Sequence, residues 1–347
     1  MTVLYIREQG AQVIRKNEQI RVRLKGKVIS QAPVRDLDQV VVYGNVQVTT
    51  QAAALLARYA VDVIFYSTTG RFRYRLLKDG SKYASLRRSQ FRIVDNMRQS
   101  LAIAKSVVAG KLENQKRLID VWSHYDTSSH KHAYRQGIRS IDLLLRQSQR
   151  ASSIDILRGF EGKAATIYFS LMRQLIPARW GFHQRAYHPP PDPWNATLSF
   201  GYSLLLKDVL AAVELVGLDA YVGFFHALEA NRPSLALDLM EEFRPLVDDA
   251  MLRLLLSGRL PLARYRQRPG NSRPVEIGSD LLPVVIEGYE TGLVMHLKPP
   301  RSGVSGGRTV IEMQVRQMAE LFLARRRDYQ PVAIQFRPIP IRSITIQ

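Results

Sequence analysis

Hydrophobic and polar positions alternate in short runs over the first eighty or so residues: VLYI (3–6), AQVIRK (11–16), IRVRL (20–24), QVVVYGNVQV (39–48) and DVIFYS (62–67), separated by Gly, Asn and Pro. A period of two in β-branched and aromatic residues predicts strands. RFRYRL (71–76) reads as a further strand with a basic outer face, and TQAAALLARYA (50–60) as a single helix among the strands. From about residue 85 the period changes. Residues 85–122 form one long amphipathic pattern, and further helical patterns lie near 135–178, 193–217 and 234–258. The predicted fold class is α+β: a small N-terminal β-rich domain over 1–84, a larger all-helical domain over 85–330 and a tail over 331–347. Alternating apolar residues in the tail suggest an added strand or a partner-binding end, and a tail packed on its own domain is the plainer expectation.

The segment HPPPDPWN (188–195) is a predicted loop, because successive prolines remove donors and push each preceding residue out of the α region. Asp192 followed by Pro193 then reads as an N-cap with proline at the first helical position. No internal repeat is visible, and there is no GxxxxGK[ST] phosphate loop, so nucleotide hydrolysis has no support.

Composition narrows the partners. The 347 residues include 50 Lys plus Arg against 30 Asp plus Glu, a formal net charge of +20, which suits a polyanion such as nucleic acid or an anionic membrane surface. No apolar run is read as approaching the roughly 18 residues that span a bilayer. The N-terminus MTVLYIREQG also lacks a signal-peptide pattern, so a cytoplasmic protein is expected. The absence of cysteine excludes disulfides, thiolate zinc sites and thiol nucleophiles, and leaves oxygen and imidazole to hold any metal.

Against this basic background, residues 226–245 concentrate acids beside a histidine. On a continuous helix Ser234, Asp238, Glu241 and Glu242 share one side, and Leu235, Ala236, Leu239, Met240 and Phe243 the other. A solvated acidic face is the plain reading. At 100° per residue Asp238 lies about 60° from Glu241 and Glu242 about 100° from it, at the border of the apolar face, where a salt bridge to an arginine is expected. A third element is ILRGFEGKAATIYFSL (156–171), with Glu161 between two glycines at the head of a helix. Its Gly159, Gly162, Ala164 and Ala165 would admit another helix or a DNA backbone, and Glu161 could then meet His226 and Glu241. Two carboxylates and one imidazole suit Mn²⁺ or Mg²⁺ with open positions for water and phosphate oxygens.

The ordered set RGFEGKAATIYF, PPPDPWNATLSFGY, GLDAYVGFFH and PSLALDLMEEFRPLVD, with VVVYGNVQVT near the start and AGKLENQKRLI at 109–119, resembles the CRISPR-associated integrase family, the first of the numbered Cas proteins. The resemblance covers roughly residues 1–330. It implies metal ligands at Glu161, His226 and Glu241, with Asp238 a ligand or a group just behind them, and a catalytic role for the helical domain. It further implies homodimers formed through the N-terminal domain, a small partner that is the second numbered Cas protein, and insertion of short DNA segments into a CRISPR array by attack of a 3′-hydroxyl. Where many members carry a run of arginines before the proline loop, this chain reads HQRAYHPPPDP. Arg71, Arg73, Arg87, Arg88 and Arg185 are the candidate DNA contacts, since basic residues interleaved with aromatics suit phosphates and bases. His124, His130 and His132 form a weaker candidate metal cluster. The alternative function is a non-catalytic architectural DNA-binding protein whose acids are structural.

Overall fold

The computed structural model describes residues 3–37, 39–68, 72–76, 83–125, 130–186, 189–267, 275–297 and 307–338. Two compact units divide the chain, Met1–Ser81 and Lys82–Gln347.

In the first unit, β1 (Val3–Ile6), β5 (Gln39–Tyr43), β7 (Asp62–Tyr66) and β8 (Phe72–Leu76) form one sheet in the order β1-β5-β7-β8, parallel except for the last pair. The second sheet has the order β4-β3-β2-β6, from β2 (Gln12–Lys16), β3 (Gln19–Leu24), β4 (Lys27–Pro33) and β6 (Gln47–Val48). Strand β5 is buried along its whole length, as a central parallel strand with both faces covered should be. Both sheets and α1 (Thr50–Arg58) share one core, built from Ile6, Val13, Ile20, Val40, Val42, Leu55, Leu56 and Val63. Strand β4 is absent from the sequence reading. Its signal was the Lys25-Gly26 pair, both at positive φ (49° and 80°), the conformation that a two-residue hairpin turn requires.

The second unit is mainly helical, but the expectation of an all-helical domain needs correction: β9 (Tyr265–Gln267) and β10 (Val275–Ile277) pair antiparallel. The long helix expected over 85–122 is two helices, α2 (Ala84–Asp95) and α3 (Met97–Ser123), because Asn96 caps the second by accepting from the Gln99 N–H at 3.1 Å. The pattern near 135–178 likewise divides into α4 (Lys131–Ser148) and α5 (Ile154–Leu175), the latter capped by Ser153. Helix α6 (Pro193–Val216) starts as expected, with the Asp192 carboxylate accepting from the Asn195 N–H at 2.8 Å.

By length and hydropathy α6 is also the one helix among the described residues able to cross a membrane, which corrects the earlier reading of apolar runs. Here 83% of its most apolar window is buried in the unit, and its Lys207 and Asp208 are buried as a pair at 2.9 Å. It is a core helix of the unit. The continuous helix expected over 234–258 is α7 (Ser234–Met240), a 3₁₀ turn (Glu241–Phe243) and α8 (Arg244–Leu256). Pro245 has no N–H for the Glu241 carbonyl and its ring crowds that carbonyl, so α-helical bonding fails there. Two helices absent from the sequence reading follow, α9 (Leu282–His296) and α10 (Gly307–Phe322). The described part of the tail forms no strand. Tyr329, Ile334 and Phe336 are buried within the second unit.

Candidate active site

Four elements contribute to the site. Helix α3 supplies Lys111, α5 supplies Glu161, the loop after α6 supplies His226, and the 3₁₀ turn supplies Glu241. The Lys111 ammonium pairs with Glu161 Oε1 and lies 2.6 Å from Glu241 Oε2. His226 Nε2 lies 3.8 Å from Glu241 Oε1, which also accepts from Arg244 Nε at 2.8 Å. Lys111 and Glu241 are nearly buried, whereas the Glu161 and His226 side chains are each 19% exposed and form the open side of the site.

Glu161 is not at the head of α5 as expected. It lies two turns in, and Gly159 and Gly162 beside it are exposed, with no atom within 4 Å of a Cβ built on either. Among the described residues that stretch of α5 is open. One turn earlier, Arg158 donates to the Phe225 carbonyl and lies over the Phe225 ring, tying α5 to the histidine loop.

The loop itself is organised by Asp238. Its Oδ2 accepts from the Phe224 and Phe225 N–H groups (2.6 and 2.9 Å) and its Oδ1 from the His226 N–H (2.8 Å) and Nδ1 (2.6 Å). With Nδ1 held by a carboxylate, Nε2 is the nitrogen presented towards Glu241. A Cβ at Gly223 would lie 2.6 Å from Asp238 Oδ2, so the loop needs glycine there to approach so closely. Burial raises the Asp238 carboxyl above its ordinary value, against the hydrogen bond from His226.

The acids are not the solvated face that a regular helix suggested: Asp238, Glu241 and Glu242 are 0%, 4% and 0% exposed. Burial opposes the charge of Glu241, but Arg244, Lys111 and His226 hold its carboxyl down at about 2, so it is an anion at any working pH. Glu242 lacks the arginine partner expected for it. It accepts from the Tyr329 hydroxyl and, at 2.7 Å, from the Val332 N–H, and burial pushes it up to about 7.

Among the described residues no three His, Asp or Glu side chains stand close enough as placed to hold a metal ion. The donor set nonetheless fits one. Two carboxylates flank the Lys111 cation and an imidazole faces one of them from 3.8 Å, and Glu241 Oε2 is buried without a directed hydrogen bond, its contact with Lys111 being ionic. Lys111 and Arg244 are the two groups that the sequence reading missed, since each reads as an ordinary helical basic residue until the unit is packed.

Of the candidate DNA contacts, Arg71 lies outside the described residues, and Arg73 and Arg88 are exposed. Arg87 is half-buried and donates to the Gly217 carbonyl at 3.1 Å. Arg185 is half-buried. It is turned inward, donating to the Ala186 carbonyl, Asn195 Oδ1 and Ser199 Oγ, with its guanidinium over the Tyr202 ring. Of the second histidine cluster, His124 bonds the Asp120 carbonyl instead, at 2.7 Å.

The family model for CRISPR associated protein Cas1 matches residues 4–290. A CRISPR-associated endonuclease Cas1 of Thermus thermophilus is 31% identical over 337 residues, covering 96% of this chain and 97% of the relative. The Mycobacterium tuberculosis H37Rv endonuclease Cas1 is 32% identical over 259 residues, 74% of this chain and 75% of the relative. Among solved structures, a casposase bound to integration product has a TM-score of 0.81 at 22% identity, covering 95% of this chain and 93% of its own. A CAS1 protein from Thermotoga maritima scores 0.78 at 20% identity, covering 96% and 100%. A Cas6-RT-Cas1–Cas2 complex scores 0.81 at 20% identity, over 97% of this chain and 36% of the other. The solved structures establish a shared fold, and the sequence matches extend over most of the chain: it belongs to the CRISPR-associated Cas1 family.

Proposed function

We propose that this protein is a metal-dependent DNA integrase and endonuclease of CRISPR adaptation, inserting short DNA segments into a CRISPR array by 3′-hydroxyl transesterification. The observation that carries the reading is the gathering of Glu161 and Glu241 on one cation, Lys111 Nζ, with His226 Nε2 3.8 Å from Glu241. An architectural DNA-binding protein has no use for that arrangement. Glu161, His226 and Glu241 would hold Mn²⁺ or Mg²⁺. Such an ion, when bound, supplies Lewis-acid polarisation of the target phosphodiester and helps activate the attacking hydroxyl.

The remaining work belongs to the chain's own side chains. Glu241 is permanently anionic, and Arg244 fixes one of its oxygens. Asp238 holds the His226 ring so that Nε2 faces inward. Lys111 neutralises the two glutamates when no other cation does. The bare glycine face beside Glu161 leaves room for a phosphodiester backbone, and the +20 charge favours its arrival.

A homodimer working in the cytoplasm with DNA and the small second numbered Cas protein completes the reading. The family membership supports it, as do a casposase and a Cas1–Cas2 complex of the same fold. The test is strand transfer of a 3′-hydroxyl DNA end in Mn²⁺ by Glu161→Ala, His226→Ala and Glu241→Ala variants. Each should lose product to background while retaining wild-type DNA affinity. Wild-type rates in any one variant would remove that residue from the site.

A further inference from the structure

The 3₁₀ turn that carries Glu241 is under-determined by its own backbone. Pro245 offers no N–H, and the Glu241 carbonyl instead accepts from the Arg244 N–H, three residues on. What holds the turn lies elsewhere in the chain. The Tyr329 hydroxyl donates to Glu242 Oε1 and the Val332 N–H to Glu242 Oε2 at 2.7 Å. Asn114 Nδ2 donates to both the Glu242 carbonyl and the Val332 carbonyl, each at 2.9 Å, while Asn114 Oδ1 accepts from the Ile334 N–H at 3.1 Å. Glu242 and Asn114 are both fully buried. The strap formed by residues 329–334 crosses directly over Gly110, the neighbour of Lys111: a Cβ there would lie 2.3 Å from Pro331 Cβ and 3.5 Å from Glu242 Cβ.

We infer that this strap, acting through Glu242 and Asn114 as positioning residues, sets the direction in which Glu241 points, and thereby the affinity of the site for a divalent cation. The inference rests on the proposed cation site and assigns part of its construction to a segment outside it. Tyr329 bonds Glu242, and Asn114 bonds Glu242 and the strap. Their influence passes through the peptide that joins Glu241 to Glu242.

Two single substitutions perturb the strap independently. Tyr329→Phe removes one hydroxyl and keeps the buried ring. Gly110→Ala favours helix α3 locally while displacing Pro331, so a loss there does not come from a weakened helix. Mn²⁺ binding to the full-length protein is read from the electron paramagnetic resonance of free Mn²⁺, with circular dichroism for folding and fluorescence anisotropy for duplex DNA binding. Both variants should bind Mn²⁺ about 10- to 100-fold more weakly, the range typical for groups that orient metal ligands. Helicity and DNA affinity should stay at wild-type values. Amide hydrogen exchange should also quicken at residues 240–244. If both variants bind Mn²⁺ within twofold of wild type, the inference is overturned and the proposed site survives. Should the wild type itself bind no Mn²⁺, or bind it equally well as Glu241→Ala, the cation site fails and the strap's role falls with it.

Discussion

Replacing Asp248 by asparagine should stabilise the second unit at neutral pH and lose that advantage as the solution is acidified. Asp248, on α8, is 1% exposed and accepts from the hydroxyls of Tyr168 (2.7 Å) and Tyr202 (2.5 Å). Burial outweighs those two hydrogen bonds and lifts its carboxyl from 3.8 to about 6. Below pH 3.8 the side chain is protonated whether the chain is folded or not. Between 3.8 and about 6 the unfolded chain releases the proton and the folded one keeps it, so stability falls as pH rises through this window. Above it the folded protein carries a buried charge, at a cost of about 3 kcal/mol given about 1.4 kcal/mol per pH unit. Asparagine resembles the protonated form: its oxygen accepts from one tyrosine and its amide donates to the other, whose hydroxyl turns to accept. The variant should therefore exceed the wild type by about 3 kcal/mol at pH 7.5, the difference vanishing towards pH 4. Trp122, Trp180 and Trp194, the three tryptophans, all lie in the second unit, so urea unfolding followed by their fluorescence reports on that unit alone. A difference that stays constant from pH 4.5 to 7.5, or a less stable variant at pH 7.5, would refute the reasoning.

Asp238→Asn should turn an amide towards N–H donors that now meet a carboxylate, freeing the histidine ring, so Mn²⁺-supported strand transfer should fall about 10- to 100-fold in a side-by-side metal titration. Wild-type activity in that variant would show that His226 is oriented by something else. Duplex DNA affinity should fall with salt at a log–log slope of about −0.9 per phosphate neutralised, and a flat plot would detach the basic charge from DNA binding.

The start of α6 was legible because its signal is local: Asp192 and Pro193 each act within four residues. Glu161, His226 and Glu241 were found as residue types in characteristic surroundings, but their partners were not. Lys111 reads as an ordinary helical lysine until α5 and the Glu241 turn are packed against it. The break at Pro245 was written in the chain, yet the apolar period on both sides of it outweighed one proline. Helix α9 escaped notice because Gly288 and Gly292 lower its helical propensity. Packing explains them: a Cβ at Gly288 would lie 2.4 Å from Leu254 Cδ1, and one at Gly292 2.9 Å from Ala250 Cβ. The strap was illegible for a different reason, since Tyr329 and Val332 meet Glu242 across 87 and 90 residues and no local pattern encodes such contacts.

That separation also bears on how the protein is made. Asn114 bonds the Val332 carbonyl across 218 residues. At a synthesis rate of about 5 to 20 residues per second, a ribosome needs about 10 to 40 s between the two. Over the last 90 residues of that interval, from Glu242 to Val332, the segments bearing Lys111, Glu161, His226 and Glu241 can already be present, while the clasp over the Glu241 turn cannot. A nascent chain is thus assembled with its acidic turn unlatched, and the latch closes only after nearly all of the helical unit has emerged to fold.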